Sequence, residues 1–455
     1  MLKNHDGRIM GVETEYGLLL PDEKKSDELI FELKARVPGF VANGSRIYMD
    51  RDVYECSTPE RKSYREVLKY DKAGEILCRK YLPPRFNAVI VKNNIDKRMG
   101  GTGEKEVLNT FGCHENYFVK KINDYFNFYL TPFLVARNIM IGSGFLDESG
   151  QYFISQRADF IENHISNYTT SDRGLISTAR NDEPLAQCGG KKRFHLICGD
   201  SNMCEDAMAL KIGATELMIS LIEDGFFPFV HYDSKQSVQD LRRINSEFCD
   251  WKLEGMIKGP KYAVDFLNLC EEKARKAYYG SNPDTDMLLD LWRKVNSGLA
   301  SINTNPNFLV GKLDWVTKRF FLEEYARSEG LKLSDSKVQS NDIQYHRTDE
   351  ESLFYQAQED GLIDKIVSDE EIRDAVIESP DDSRANFRGK AIRLFDSYKN
   401  IKKRNELKMI VNWDYVAIID TMRANHILLG ERLDDPSRNY NEYLLEFNSF
   451  LSKYL

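Results

Sequence analysis

Two glutamates two residues apart, Glu13 and Glu15, stand in the stretch Arg8-Ile-Met-Gly-Val-Glu-Thr-Glu-Tyr-Gly17. Successive side chains of a β-strand point to opposite faces. A strand here therefore puts both carboxylates on one face and Met10, Val12, Tyr16 and Leu18 on the other. Two unpaired carboxylates on a half-buried strand repel one another and are costly to desolvate. A divalent cation relieves both costs, and Mg²⁺ favours a few carboxylates together with substrate phosphates. A solvated outer face relieves them as well, and the local pattern leaves both possibilities open.

Four further segments carry polar groups suited to nucleotide and metal. Tyr48-Met-Asp50 ends an apolar run in an acid, and a strand-end carboxylate reaching into a cleft is a candidate general base. A plain turn aspartate fits the same residues, because Asp50-Arg-Asp52 also opens a loop. Tyr54-Glu-Cys-Ser-Thr-Pro-Glu60 sets two more acids about a bend. In Phe111-Gly-Cys-His-Glu-Asn-Tyr117 a strand aims His114 and Asn116 from one face, where they can meet phosphate oxygens or a metal. A satisfied core histidine is the commoner fate of such a residue. Between Lys191 and Met203, Arg193 and His195 alternate with Phe194 and Leu196 and so share a face, and an arginine fork suits phosphate or carboxylate. Gly199-Asp-Ser-Asn202 precedes a helix, so it can cap that helix or leave its N–H groups to an anion. The chain has neither a Walker-type phosphate loop nor a G-x-G-x-x-G dinucleotide fingerprint.

These residues need elements to hold them. Besides the first strand, the patterning predicts strands at Arg46–Asp50, Asn87–Lys92, Gly112–Val119 and 192–199. It predicts helices at Ser26–Val37 and Arg65–Tyr81, over 122–140, and from Met203 to Gly225. A glycine-rich loop carries Gly100, Gly101 and Gly103. Residues 235–330 read as mostly helical, and the polar, poorly periodic 333–352 as a mobile loop. Glu378-Ser-Pro-Asp-Asp-Ser383 breaks the pattern. The basic run Lys399–Arg404 precedes a last unit, 408–455, with a strand at Met409–Trp413 and helices. A domain boundary is expected near residue 400, giving domains 1–400 and 401–455.

A chain of 455 residues exceeds one small core. A net charge of −9 over that length offers no basic field for nucleic acid. No apolar run reaches membrane-span length and the start lacks a signal-peptide pattern, so a soluble cytoplasmic protein is expected. The eight cysteines show no metal-ligand spacing, and buried reduced thiols are the expected state.

In order along the chain, the motifs resemble the Pup ligase and depupylase family of carboxylate–amine ligases, relatives of glutamine synthetase and glutamate–cysteine ligase. The matching elements are Arg8-Ile-Met-Gly-x-Glu-x-Glu-Tyr-Gly, Asn43-Gly-Ser-Arg-x-Tyr-x-Asp, Asp71-Lys-Ala-Gly-Glu, Lys92-Asn-Asn-x-Asp, Gly112-Cys-His-Glu-Asn-Tyr, Ser155-Gln-Arg-Ala-Asp, Asp182-Glu-Pro and Arg193-x-His-x-x-x-Gly-Asp-Ser-Asn-Met. Weaker similarity continues through Asp314-Trp-Val-x-Lys-Arg319 and Arg384-Ala-Asn-Phe-Arg-Gly389.

The resemblance implies an α+β fold, a glutamine-synthetase-like curved, mainly antiparallel sheet backed by helices, with a small C-terminal domain. It implies ATP and Mg²⁺ on the concave face, with Glu13, Glu15, Glu55 and Glu60 at the metal. Arg193, His195, His114, Asn116 and Arg180 fall to the nucleotide, and Asp50 becomes the base. In the family's ligases ATP phosphorylates the γ-carboxylate of the C-terminal glutamate of Pup, a small disordered modifier, and a substrate lysine attacks the acyl phosphate. The family's depupylases carry a long insertion after the first strand, whereas here residues 18–42 alone separate Gly17 from Asn43. Val12-Glu-Thr-Glu15 also resembles the ligase order. Departures are an extra residue in Thr178-Ala-Arg-Asn-Asp-Glu-Pro-Leu185, which lacks the family's histidine, and a turn from Asp50 to Glu55 that is one residue shorter. A Pup ligase is thus the first expectation. A depupylase or deamidase, a small-molecule glutamate–amine ligase and a silent binding module are the alternatives.

Overall fold

The computed structural model describes residues 5, 7–96, 109–120, 124–169, 171–178, 187–225, 230–246, 250–402, 406–423 and 425–454. Ten strands form the main sheet: β1 (Met10–Leu19), β2 (Gly39–Phe40), β3 (Arg46–Asp50), β4 (Val53–Ser57), β5 (Val89–Val91), β6 (Cys113–Val119), β7 (Asn163–Ser166), β8 (Gly174–Ser177), β9 (Gln187–Cys188) and β10 (Lys191–Leu196). Their order is β7-β8-β10-β6-β1-β4-β3-β2, with β9 on β10 and β5 on the far end of β1. Every pairing is antiparallel except β7 with β8.

Burial alternates along β1 and β6 as a sheet with one covered face requires. Met10, Val12, Tyr117, Val119, Phe194 and Leu196 turn to the covered face. There they join one large core with α2 (Tyr64–Tyr81), α3 (Asp124–Ala136) and α4 (Glu205–Asp224, with a π-turn at Leu210–Ala214). The same face holds buried charge. The Thr14 hydroxyl donates to Asp71 at 3.1 Å, Lys92 binds Asp71 and Glu75, and Lys72 lies 3.4 Å from Glu75. Arg137 pairs with Glu115 at 2.7 Å. Every one of these charges has an opposite partner, as buried ions require. The Asp71-Lys-Ala-Gly-Glu motif and Lys92 therefore brace α2 against the sheet from behind.

Several expectations change. The acids about a supposed bend at 54–60 lie partly on a strand, β4; four of its five residues are buried, so it lacks the alternation that marks a strand in sequence. The loop expected at 333–352 contains a helix, α5 (Ser336–Gln344), followed by fully buried Tyr345 and His346. Only Val338 and Asp342 of this helix are buried, one apolar and one charged, with Asp342 3.0 Å from Lys318, so no apolar period betrays it.

The C-terminal unit has three strands, β11 (Leu407–Asn412), β12 (Tyr415–Asp420) and β13 (His426–Arg432), rather than one, with helix α7 (Asn441–Tyr454). Its core includes Phe387, Ala391 and Phe395 of α6 (Ala385–Lys402), so residue 400 falls within a helix. Six cysteines are buried free thiols and Cys188 is half-buried; Cys249 and the glycines at 100, 101 and 103 lie outside the described residues. Among the described residues no helix is long and apolar enough to cross a membrane.

Candidate active site

The face of the sheet away from the helices gathers its polar residues by register. Directly paired residues of an antiparallel ladder project to the same side. Glu13 pairs with His114 on β6 and Ser57 on β4, and Glu15 pairs with Glu55. His195 pairs with Asn116, and Tyr48 with Glu55. Asp50 shares the parity of Tyr48 and ends β3, exposed, opposite Val53. Five adjacent strands thus place Arg193, His195, His114, Asn116, Glu13, Glu15, Glu55 and Asp50 on one surface.

Glu13 is the centre of the group. Its Oε2 lies 3.5 Å from His114 Nδ1 and 4.0 Å from His195 Nε2. Its Oε1 accepts from Asn116 Nδ2 at 3.2 Å and lies 3.9 Å from Arg193 Nη1. His114 Nε2 is 3.9 Å from Glu15 Oε1, which links the two glutamates through one imidazole. Glu15 also accepts the backbone N–H of Gly112, the residue before the strand. A Cβ at Gly112 would collide with the His114 ring, so the glycine is what lets ring and carboxylate share this space.

Charge explains what the group lacks. Burial, the Glu13 and Glu15 charges and Asp50 push the Glu55 carboxyl well above its ordinary value, against a hydrogen bond from Tyr48. Burial also opposes ionisation of Glu13, yet the His114 hydrogen bond and the charges of His195, Arg193 and His114 hold its carboxyl well below the usual range. Ionised Glu13 beside a Glu55 that resists ionisation is a site short of positive charge. Glu13, His114 and His195 offer ligand atoms that all lie within 4.8 Å of one another, a spacing that a cation can bridge. Arg193 Nε and Nη2 and Asn116 Oδ1 are buried without a hydrogen-bond partner among the described residues. Two arginine donors and an amide acceptor left over beside a cluster of acids fit a phosphate–metal pair, the donors meeting phosphate and the acceptor the cation.

Other expected residues go elsewhere. Both Glu60 oxygens are taken by Arg384 and Arg388, at 2.7 and 2.5 Å, so the structure does not bring this acid into the group. Arg180 lies outside the described residues, as does Asp182-Glu-Pro184. Of the two uses left open for the segment before Met203, the N–H groups at the helix start are not left to an anion but are filled. Asp314 accepts from Met203 and Cys204, while Asp200 itself accepts from Ser143, Gln156 and Arg157. Tyr48 is a site residue that sequence reasoning passed over, although its two-residue spacing from Asp50 carries the signal.

The Pup-ligase protein family model matches residues 32–417. The chain belongs to this family. A Pup–protein ligase of Acidimicrobium ferrooxidans is 32% identical over 85% of this chain and 89% of its own. A depupylase of Acidothermus cellulolyticus is 33% identical over 78% of this chain and 72% of its own. Among solved structures, the complex of the prokaryotic ubiquitin-like protein Pup with its ligase PafA has a TM-score of 0.84 at 25% identity, covering 99% of this chain and 93% of that one. PafA with ADP gives 0.78 at 25% identity, covering 96% and 94%. The α+β architecture with its large, mainly antiparallel sheet is therefore the family's own.

Proposed function

We propose that the chain is an ATP-dependent protein ligase joining the γ-carboxylate of the C-terminal glutamate of a Pup-like modifier to lysine amines of other proteins. Family membership supports the substrate class, and the ADP and the Pup named with the related structures support the two ligands. Glu13, Glu15 and Glu55 would hold Mg²⁺, and His114, Asn116, Arg193 and His195 would face the phosphates. When bound, the cation neutralises phosphate charge during transfer. The Arg193 donors left unpartnered would take phosphoryl oxygens, a geometry for which guanidinium is suited. Asp50 would take the proton of the lysine ammonium, whose ordinary pKa of about 10.4 leaves little free amine at neutral pH.

The observation that favours ligation is the connection after β1. It consists of α1 (Ser26–Arg36) and the short β2, with no room for the long insertion of the depupylases. A depupylase is the second reading, favoured by a depupylase relative as similar as the ligases. One experiment separates them. Incubated with ATP, Mg²⁺, a Glu-terminated modifier and a lysine-bearing protein, the purified chain should yield a higher-mass conjugate and ADP. Asp50→Asn should abolish the conjugate while leaving nucleotide binding intact. Rapid cleavage of a preformed conjugate, with none ever formed, would replace the ligase with the hydrolase.

A further inference from the structure

A cavity of about 270 Å³ adjoins the polar face at the end of β1. Gly17, on its wall, is two residues beyond Glu15, and Phe111 immediately precedes the Gly112 whose N–H binds Glu15. Asp52, also on the wall, lies in the hairpin turn that starts at Asp50, and Val53, on the wall as well, closes it. The cavity thus borders the end of the site where the proposed base stands.

We infer that this cavity receives the side chain of the acceptor lysine. The inference rests on the ligase proposal and adds to it the place of the amine substrate. Leu18, Leu20, Leu29 and Ile30 give walls suited to a tetramethylene chain. Asn93 is only 5% exposed, and its Nδ2 donates to the Ile95 carbonyl, which fixes the amide. Its Oδ1 lies where a Cβ on Gly17 would meet it at 2.7 Å, and it has no hydrogen-bond partner among the described residues. A buried acceptor in a largely apolar cavity calls for an N–H donor.

Charge selects an ammonium over a carboxylate. Asp52 and Asp342 line the cavity, and no lysine or arginine does so among the described residues. The cations that pair with the two acids, Lys34 at 2.7 Å and Lys318 at 3.0 Å, stand outside the lining. The modifier's terminal glutamate would find no cation here, whereas a lysine finds acceptors. From this position the lysine nitrogen bonds to the activated carboxyl carbon. Asp50 takes one proton from the ammonium to free the amine, the bond from that carbon to the phosphate oxygen breaks, and phosphate leaves with the electron pair and takes up the nitrogen's second proton.

Two variants and one substrate series test the inference. Hydroxylamine, too small to need the cavity, intercepts the activated carboxyl as a hydroxamate. Asn93→Leu and Ile30→Trp should each raise the KM for the lysine protein about tenfold or more. Both should form hydroxamate at the wild-type rate, which also reports that they are folded. Equal losses in the two assays would mark a structural role and overturn the inference, as would no loss in either. With wild-type enzyme, alkylamines should replace lysine with kcat/KM rising about fourfold per methylene from methylamine to butylamine. Indifference to chain length would overturn the inference independently of any variant. A wild type that formed neither conjugate nor hydroxamate would remove the ligase proposal, and this one with it.

Discussion

At the scale of the residue, the site is a balance of charge around Glu13. Three neighbours, His114, His195 and Arg193, hold its carboxyl ionised, while burial and the charges of Glu13 and Glu15 make Glu55 resist ionisation. Replacing Glu13 or Glu15 with glutamine keeps shape and removes charge. Either variant should cut Mg²⁺-dependent ATP turnover about 10²-fold or more, read as ADP release. Glu13→Gln should also lower the thermal midpoint at neutral pH, because His114, His195 and Arg193, which hold that carboxyl ionised, lose their counter-charge. Full turnover in the double variant would exclude these acids from the metal. Arg193→Lys keeps the charge and loses the fork. Its KM for ATP should rise about tenfold, roughly 1.4 kcal/mol, and unchanged ATP kinetics in Arg193→Ala would place this side chain outside the nucleotide site.

At the scale of the element, β6 aims the two side chains that complete the group, and its approach is made at Gly112. The His114 ring fills the space where a side chain at 112 would sit, and the Gly112 N–H holds Glu15. Gly112→Ala must move the ring, the carboxylate or the strand end. Displacing reacting groups by about an ångström costs on the order of 10²-fold in rate. Turnover should fall by that order while circular dichroism and the unfolding midpoint change little, since the covered face and its core are untouched. A variant with wild-type turnover would show that the His114–Glu15 spacing is not required. Behind β1 the brace is ionic, with Asp71 and Glu75 of α2 gripping Lys92. Those motif residues act on the strand's position and not on the ligands.

At the scale of the whole molecule, Glu60 ties the sheet to the C-terminal unit. Arg384 and Arg388 come from the start of α6 and its approach, and Arg388 also donates to the Trp413 carbonyl at 2.8 Å. Burial opposes ionisation of Glu60, but the two guanidinium charges and their hydrogen bonds lower its carboxyl to about 2. A carboxyl depressed in the folded state adds stability that is present above its ordinary value near 4.5. That stability is lost as pH falls toward about 2. Glu60→Gln leaves two buried guanidiniums without their counter-charge and should cost about 3–5 kcal/mol at neutral pH. Urea unfolding at pH 7 and pH 3 checks both points. The variant should be less stable at pH 7, and its loss of stability between the two pH values should be smaller than that of the wild type. Equal acid sensitivity would show that another carboxylate carries the effect.

Much of this was legible along the chain. The two-residue period put Glu13 with Glu15, His114 with Asn116 and Arg193 with His195, because pleating alone fixes which side chains share a face. The order of motifs named the family. Period could not say which strands lie side by side. The antiparallel register that sets Glu13 opposite His114 and Glu15 opposite Glu55 forms between residues far apart in sequence, and only tertiary packing decides it. For the same reason Glu60, spaced like a ligand, proved to be a counter-ion: its partners stand more than three hundred residues later in a segment no local pattern connects to it. The strand β4 and the helix α5 were hidden by burial that erases alternation in one and by an inward side of just one valine and one aspartate in the other. Sequence by itself determined the chemistry each short segment offers. The fold determined which of those offers meet, because electrostatic and hydrogen-bond energies depend on distances that only the closed chain sets.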